Sequence, residues 1–308
     1  MSGRVAVTGA TGFIGKKLIH KLTSAGWAVR ALTRKPQADR KNLHWITGTL
    51  EDKDALDQLV AETDYVIHCA GRVRGSSSAD FLKTNLDGTA NLLDSVSSRV
   101  PHARFLLVSS LAAREPQLSW YADSKFQAEQ YLIRHAGMIQ WTIFRPTAVY
   151  GPGDREMAPL FRATRIGLLP LTGAKSSRFG LLYVNDLVEA ILSWLNADEP
   201  VAGIYELDDG TPGGYDHDAV KQIASQVWTR PVHSLPVPAS IISAVARANL
   251  ALARLFRYSP MLTPGKVREL QHPDWVCDSD KLTRATGWRP KRQLQDALHE
   301  AVLPLNLQ

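Results

Sequence analysis

An apolar run, Val5-Ala-Val7, leads straight into Thr8-Gly-Ala-Thr-Gly-Phe-Ile-Gly15, and a helix-forming segment, Lys16-Lys-Leu-Ile-His-Lys-Leu22, follows at once. No other stretch restricts the fold as much. A strand, a glycine turn and a helix in that order aim backbone N–H groups and the positive end of a helix at one point, which makes a seat for an anion. Gly9 suits the tight turn, Gly12 lets the backbone approach a pyrophosphate with no Cβ in the way, and Gly15 lets the helix lie close on the sheet. Gly9, Thr11, Gly12, Phe13, Ile14 and Gly15 are therefore the candidate phosphate-binding residues.

From Gly3 to about Ile204, short runs rich in Val, Ile and Leu alternate with segments of helical period. That alternation predicts a parallel sheet covered on both faces. Strands are expected at 4–8, 28–33, 43–47, 65–69, 105–109 and 141–144, with helices near 15–24, 53–60, 79–97 and 121–135. The fold class is α/β, a doubly wound parallel sheet (Rossmann fold) with a smaller C-terminal substrate lobe. Past Tyr150-Gly-Pro-Gly-Asp154 the alternation breaks. Residues 1–150, joined by 179–204, are read as the dinucleotide-binding domain, and 151–178 with 205–308 as the lobe.

The second strand ends in Arg30-Ala-Leu-Thr-Arg-Lys35, where an acidic residue would hold the ribose 2′-hydroxyl of NAD. Thr33, Arg34 and Lys35 stand there instead, and a guanidinium suits a 2′-phosphate through paired, charge-assisted hydrogen bonds. NADP(H) is favoured and NAD(H) is the alternative. Thr49 and Leu50, in Gly48-Thr-Leu-Glu-Asp52, are placed to bracket an adenine, with Leu50 as the apolar contact. Ala70 and Gly71 open a Gly/Ser-rich loop at the carboxyl edge of the sheet, where such sheets bind ligands; its Arg72 and Arg74 are expected to be solvated.

Chemistry concentrates in Ser109-Ser110, at the end of the fifth strand, and in Tyr121-Ala-Asp-Ser-Lys125 on a predicted helix. Tyrosine and lysine four residues apart share a helical face, so the ammonium is expected near the phenol, lowering its pKa from about 10 toward working pH. A phenol so tuned is a general acid/base, and a strand-end hydroxyl can hold a substrate oxygen beside it.

With these residues the chain resembles the short-chain dehydrogenase/reductase superfamily, in particular its extended, epimerase-like branch. The resemblance rests on Thr8-Gly-Ala-Thr-Gly-Phe-Ile-Gly15, Asn85-Leu-Asp-Gly-Thr89, Val108-Ser-Ser110, Tyr121-Ala-Asp-Ser-Lys125, Arg145-Pro-Thr-Ala-Val-Tyr-Gly-Pro-Gly153 and Tyr183-Val-Asn-Asp-Leu-Val-Glu-Ala190, which span about two thirds of the chain in the family's order. It implies that Tyr121 is the acid/base, that Lys125 also holds the nicotinamide ribose, and that Asn85 marks the fourth helix near the active site. Pro146 and Thr147 would line the nicotinamide. Either Ser109 or Ser110 could orient the substrate; Ser110 is preferred, with Ser109 assigned to the cofactor side. The interval from Ser110 to Tyr121 is short for the extended branch, so the covering loop there is cut down. Arg145-Pro-Thr-Ala148 lacks the asparagine that sugar-nucleotide enzymes of the family often carry, and is similar to the hydroxysteroid dehydrogenase and dihydroflavonol reductase-like members, which act on bulky apolar alcohols and ketones.

A net charge of +6 with no basic block of five or six residues points to small anionic ligands and away from nucleic acid. Cys69 and Cys277 are far apart and no disulfide is expected; His272 and Cys277 lack further partners, so no metal site is read. The sequence shows no secretion-signal pattern, and a cytoplasmic location is expected. In the segment 238–256, Ile241, Ile242, Val245, Leu250 and Leu252 give an apolar face broken by Arg247 and Arg254. The arginines disfavour a spanning helix, and the segment is expected to pack on its own lobe, with contact to a membrane surface as the secondary reading. A homodimer through the helices of the fourth and fifth crossovers is a further expectation from the resemblance.

The reading that follows is an NADP(H)-dependent oxidoreductase interconverting a secondary alcohol and a ketone on a hydrophobic or ring-bearing small molecule. Its rivals are a nucleotide-sugar epimerase/dehydratase with tightly held NAD and a non-catalytic NADPH-binding regulatory or assembly protein.

Overall fold

Runs of Val, Ile and Leu that alternate in neither face must be covered on both, and here they become the inner strands of one sheet. In the computed structural model, which describes residues 3–174 and 176–303, the first strands are β1 (Arg4–Thr8), β2 (Ala28–Thr33), β3 (Leu43–Thr47), β4 (Tyr65–His68), β5 (Arg104–Val108) and β6 (Trp141–Pro146). Later come β7 (Ala148–Tyr150), β8 (Leu168–Leu171), β9 (Arg178–Phe179), β10 (Leu181–Tyr183), β11 (Gly203–Leu207), β12 (His233–Pro236) and β13 (Asp274–Trp275). Seven of these form a sheet in the order β11-β6-β5-β4-β1-β2-β3, every pair parallel. The order reverses between β1 and β4, which opens a crevice at their carboxyl ends.

Helices α1 (Phe13–Ser24), α2 (Lys53–Val60), α3 (Ser78–Leu82), α4 (Gly88–Arg99), α5 (Trp120–His135), α6 (Ala158–Arg165), α7 (Val184–Leu195), α8 (His217–Val227), α9 (Ala239–Phe256), α10 (Pro264–Gln271), α11 (Asp280–Thr286) and α12 (Leu294–Ala301) complete the chain. The alternation within β1 shows how the layers are built. Val5 and Val7 face α1 and α7 in one core, whereas Ala6 faces α2 and α4 in the other. A third core, around Tyr150, Phe161, Tyr183, Tyr215 and Leu298, holds the lobe together. There the strands pair only two by two: β10 with β7, β12 with β8 and β13 with β9.

Two expectations are corrected. The helix predicted at 79–97 is interrupted by a π-helical turn, Lys83–Asp87, between α3 and α4. At the turn, the Asn85 carbonyl accepts a 2.6 Å hydrogen bond from the Thr89 hydroxyl. The other is α9, which packs by one flank only: Ile242, Ala246 and Ala253 are buried, whereas Ile241, Val245, Leu252, Leu255 and Phe256 are exposed.

Candidate active site

The glycine loop sits where the sequence places it, and its geometry explains each glycine. Gly9 has φ +69°, and a Cβ on it would lie 2.6 Å from the Ala70 nitrogen, so the β1 turn and the loop after β4 touch backbone to backbone. A Cβ on Gly15 would come 2.1 Å from the Gly9 carbonyl oxygen. Gly12 is the N-cap of α1, no side chain caps that end, and the first turn carries no acid. Its N–H groups are left for an external anion, so the residues present fit a dinucleotide pyrophosphate. Thr11 and Gly12 are exposed beside half-buried Phe13 and Ile14.

At the end of β2, Thr33 is buried and its hydroxyl donates to the Lys35 carbonyl at 2.8 Å. The turn so formed presents Arg34 and Lys35 to solvent, and neither is in an ion pair among the described residues. Thr49 accepts the Glu51 N–H at 3.2 Å. Leu50 packs against Gly88, and its carbonyl accepts from Asn91 at 2.8 Å.

Around the crevice, buried polar groups form a connected chain. Asn85 Oδ1 accepts the Arg72 N–H at 2.7 Å, and its Nδ2 donates to Ser124 Oγ at 2.8 Å. Ser124 donates in turn to the Tyr121 carbonyl at 2.8 Å. Gly71 lies over this point: a Cβ there would be 3.4 Å from Asn85 Oδ1 and 3.6 Å from Lys125 Nζ. His68, which the sequence gives no reason to single out, extends the chain. Its Nδ1 is 2.6 Å from Thr8 Oγ1 and its Nε2 is 3.1 Å from Thr89 Oγ1. Burial, with Lys125 adding, lowers its pKa to about 3, so the ring is neutral.

The two serines separate cleanly. Ser109 is buried and donates to Glu129, a fully buried carboxylate that also accepts from Arg145 Nε at 3.0 and 3.1 Å. Its hydroxyl is therefore committed beneath the sheet end rather than to the cofactor side. Ser110 accepts the Ala112 N–H at 3.2 Å and lies beside the Tyr121 phenol, whose pKa it acts to lower. Pro146 and Thr147 are buried at the end of β6, and the Thr147 hydroxyl donates to the Leu207 carbonyl at 3.1 Å, holding β11.

Tyr121, half-buried on the first turn of α5, departs from expectation. Its pKa is raised, mainly by burial, with Glu269 and Glu156 adding; the Ser110 hydroxyl and the charge of Lys266 act in the other direction. Lys125 is buried, donates to the Val108 carbonyl at 2.9 Å, and has its pKa lowered to about 8 by burial. The expected lowering of the phenol is thus absent: desolvation outweighs Ser110 and Lys266, and Lys125, turned to the Val108 carbonyl, is not among the groups that act on it. Lys266 and Glu269 are a second omission of the sequence reading. They arrive on α10, whose Lys266 Nζ donates to Glu269 at 2.9 Å while Ser119, the N-cap of α5, donates to the same carboxylate. Close packing fixes this contact, since a Cβ on Gly265 would come 2.8 Å from Ser119 Cβ.

Arg72 and Arg74 are not free in solvent. Arg72 donates to the Arg74 carbonyl at 2.9 Å and to Ser259 at 3.2 Å, and Arg74 to Glu156 at 2.8 Å, so the pair clamps the loop to the lobe. Among the described residues no group of three or more His, Cys, Asp or Glu is arranged to hold a metal ion.

Comparison with known proteins shows the family. The sequence model of the NAD dependent epimerase/dehydratase family matches residues 5–207. The chain is 34% identical to the ceramide reductase of Caulobacter vibrioides, over 94% of this chain and 97% of the relative. It is 26% identical to a 3 beta-hydroxysteroid dehydrogenase/Delta 5-->4-isomerase of Mycobacterium tuberculosis, over 97% and 90%. Among solved structures, the UDP-glucose 4-epimerase of Thermus thermophilus in complex with NAD superposes with a TM-score of 0.70 at 22% identity, covering 97% of each chain, a likeness of fold. The chain belongs to the NAD dependent epimerase/dehydratase family, within the extended branch of the short-chain dehydrogenase/reductases, and is an NAD(P)-dependent enzyme.

Proposed function

We propose that this family member reduces a ketone to a secondary alcohol on a long-chain or ring-bearing apolar substrate, with NADPH preferred over NADH. The observation that carries the reading is Ser110 beside the Tyr121 phenol, one turn of α5 before Lys125, whose ammonium lies under Gly71 with Asn85 Oδ1. A nicotinamide dinucleotide bound there supplies the hydride.

The protein's own part is to move a proton and to hold an oxygen. Ser110 fixes the substrate carbonyl oxygen by a hydrogen bond, and Tyr121 gives its proton to that oxygen as the carbon is reduced. The raised phenol favours this direction: a group whose pKa lies above its usual value stays protonated through neutral pH, which is the form a proton donor needs. Alcohol oxidation, needing the phenolate, would gain with rising pH. Lys125, tied to the Val108 carbonyl, carries its proton below pH about 8 and offers it to ribose hydroxyls. The buried chain Thr8–His68–Thr89–Asn85 ties the glycine loop to the reacting edge and fixes both.

Two features support the finer points. No acid stands at the end of β2, and Arg34 and Lys35 face solvent there, a fit for a 2′-phosphate. The names of two relatives, the ceramide reductase and the 3 beta-hydroxysteroid dehydrogenase, support an apolar substrate.

The test is Tyr121→Phe, assayed by NADPH consumption with a 3-oxo long-chain amide. Cofactor binding, read by quenching of the 8 tryptophans, should persist while turnover drops by about two to four orders of magnitude. Turnover within a few fold of the parent would end this mechanism. In the same titration, tighter binding of NADH than NADPH would overturn the cofactor preference.

A further inference from the structure

We infer that the exposed flank of α9 is a docking surface for the headgroup region of an anionic bilayer. Among the described residues fourteen large hydrophobic side chains are exposed, and eight of them fall between Leu235 and Met261. On α9, Ile241, Val245, Leu252 and Leu255 recur at spacings that keep them on one face, and Phe256 extends it. Leu255 is 72% and Phe256 68% exposed, an unusual density of uncovered apolar surface for a single helix.

Charge selects the occupant. Residues 219–268 contain no Asp or Glu, yet carry Lys221, Arg230, Arg247, Arg254, Arg257, Lys266 and Arg268. Arg247, Arg254 and Arg257 on and just after α9 are exposed and in no ion pair among the described residues. An apolar stripe edged by unpaired arginines matches acyl chains beneath anionic headgroups, with the guanidinium groups reaching outward to phosphate. By length and composition alone α9 is apolar enough to cross a membrane. Its opposite flank, however, is packed through Ile242 and Ala246 against Val267 of α10, and Arg247 lies at its middle, so it lies along the surface.

The docked flank is wired to the active site. Arg254 donates to the Ser76 carbonyl at 3.3 Å and Arg72 to Ser259 at 3.2 Å, joining the end of α9 to the 70–77 loop; α10, against which α9 packs, carries Lys266 to the phenol. If the substrate is the apolar ketone proposed above, on which this last step alone rests, docking draws it from the bilayer into the crevice edge.

The full chain is sedimented with phosphatidylcholine vesicles with and without phosphatidylglycerol, at low and high salt. Binding is expected only with phosphatidylglycerol and should weaken with salt. The double variant Leu255→Asp, Phe256→Asp should weaken it by about tenfold or more, and Arg247→Gln with Arg257→Gln should flatten the salt dependence. Turnover of a short water-soluble ketone should be unchanged in both. A parent protein that stays in the supernatant, or a double variant that binds as well as the parent, overturns the proposal. So does a parent dimer in sedimentation equilibrium that the aspartates dissociate, which would make the occupant a second copy. Because sedimentation needs no turnover, loss of the ketone reading would leave this outcome standing.

Discussion

The sheet half and the lobe solve the problem of folding in different ways. In the sheet, seven parallel strands bury both faces, and the glycine loop, His68, Asn85 and Lys125 are held by backbone and fully buried partners. In the lobe the strands pair in twos, and much of the order comes from buried acids that collect donors. Asp209 accepts from Tyr215 at 2.6 Å and Asp208, raised to about 6 by burial, from Ser279 at 3.0 Å, while Asp186 on α7, at the seam with the sheet half, accepts the Lys291 and Arg292 N–H groups of the lobe. In the reading proposed above, the seven-stranded half holds the cofactor seat and the proton donor, and the lobe, with its strands paired in twos, packs over them. Such a division lets substrate choice change without disturbing the chemistry.

One chemical change made in both halves should expose the difference most sharply. Gly15→Ala places a Cβ 2.1 Å from the Gly9 carbonyl, and only backbone movement relieves it. A loss of about 3 kcal/mol or more is expected, with dinucleotide binding abolished. Gly287→Ala, at the left-handed cap of α11 with φ +72° and nothing within 4 Å, meets only the conformational cost of about 1 kcal/mol. Equal losses in urea unfolding would show that the two regions are not packed differently.

A second pair of variants tests the same contrast through charge. Glu129→Gln leaves Arg145, 13% exposed, without its buried partner and Ser109 with a weaker acceptor. Breaking such a pair from one side should cost about 3 kcal/mol. The Arg74–Glu156 pair, which joins the loop to the lobe with both side chains about one third exposed, should give up less than about 1 kcal/mol on Glu156→Gln.

How much of this was legible follows from the same contrast. The six strand runs between 4 and 146 were readable because burial on both faces leaves unbroken Val, Ile and Leu, and the glycine loop because only a strand, turn and helix explain Gly9, Gly12 and Gly15 together. The apolar period of α9 was readable too, but not what covers it. Periodicity states that a helix has an apolar face; it does not state whether anything lies on it. Choosing between Ser109 and Ser110 needed Glu129, twenty residues away in sequence and brought under the strand end by α5. The π-turn at Lys83–Asp87 had no signal in residue types, because it is a change in the backbone's own hydrogen-bond register. Local rules reach local structure, and the missing parts are all long-range contacts or buried charges whose cost depends on surroundings.

The smallest expected effect bears most directly on whether the lobe takes part in catalysis. Lys266 comes from a helix more than a hundred residues beyond Tyr121, and its charge opposes the burial that raises the phenol. Replacing it with Met removes a lowering influence and leaves Glu269, a raising one, so the phenol should move further up. In the reducing direction Tyr121 works in its protonated form, and activity is lost as pH rises through its pKa. The alkaline fall in kcat/KM for Lys266→Met should therefore shift to higher pH, by roughly one unit or less, with little change on the neutral plateau. Lys266→Arg should restore the parent profile, since it keeps the charge. If the Met variant instead loses plateau activity with its alkaline limb unmoved, α10 only shapes the pocket, and the sheet half alone sets the proton transfer.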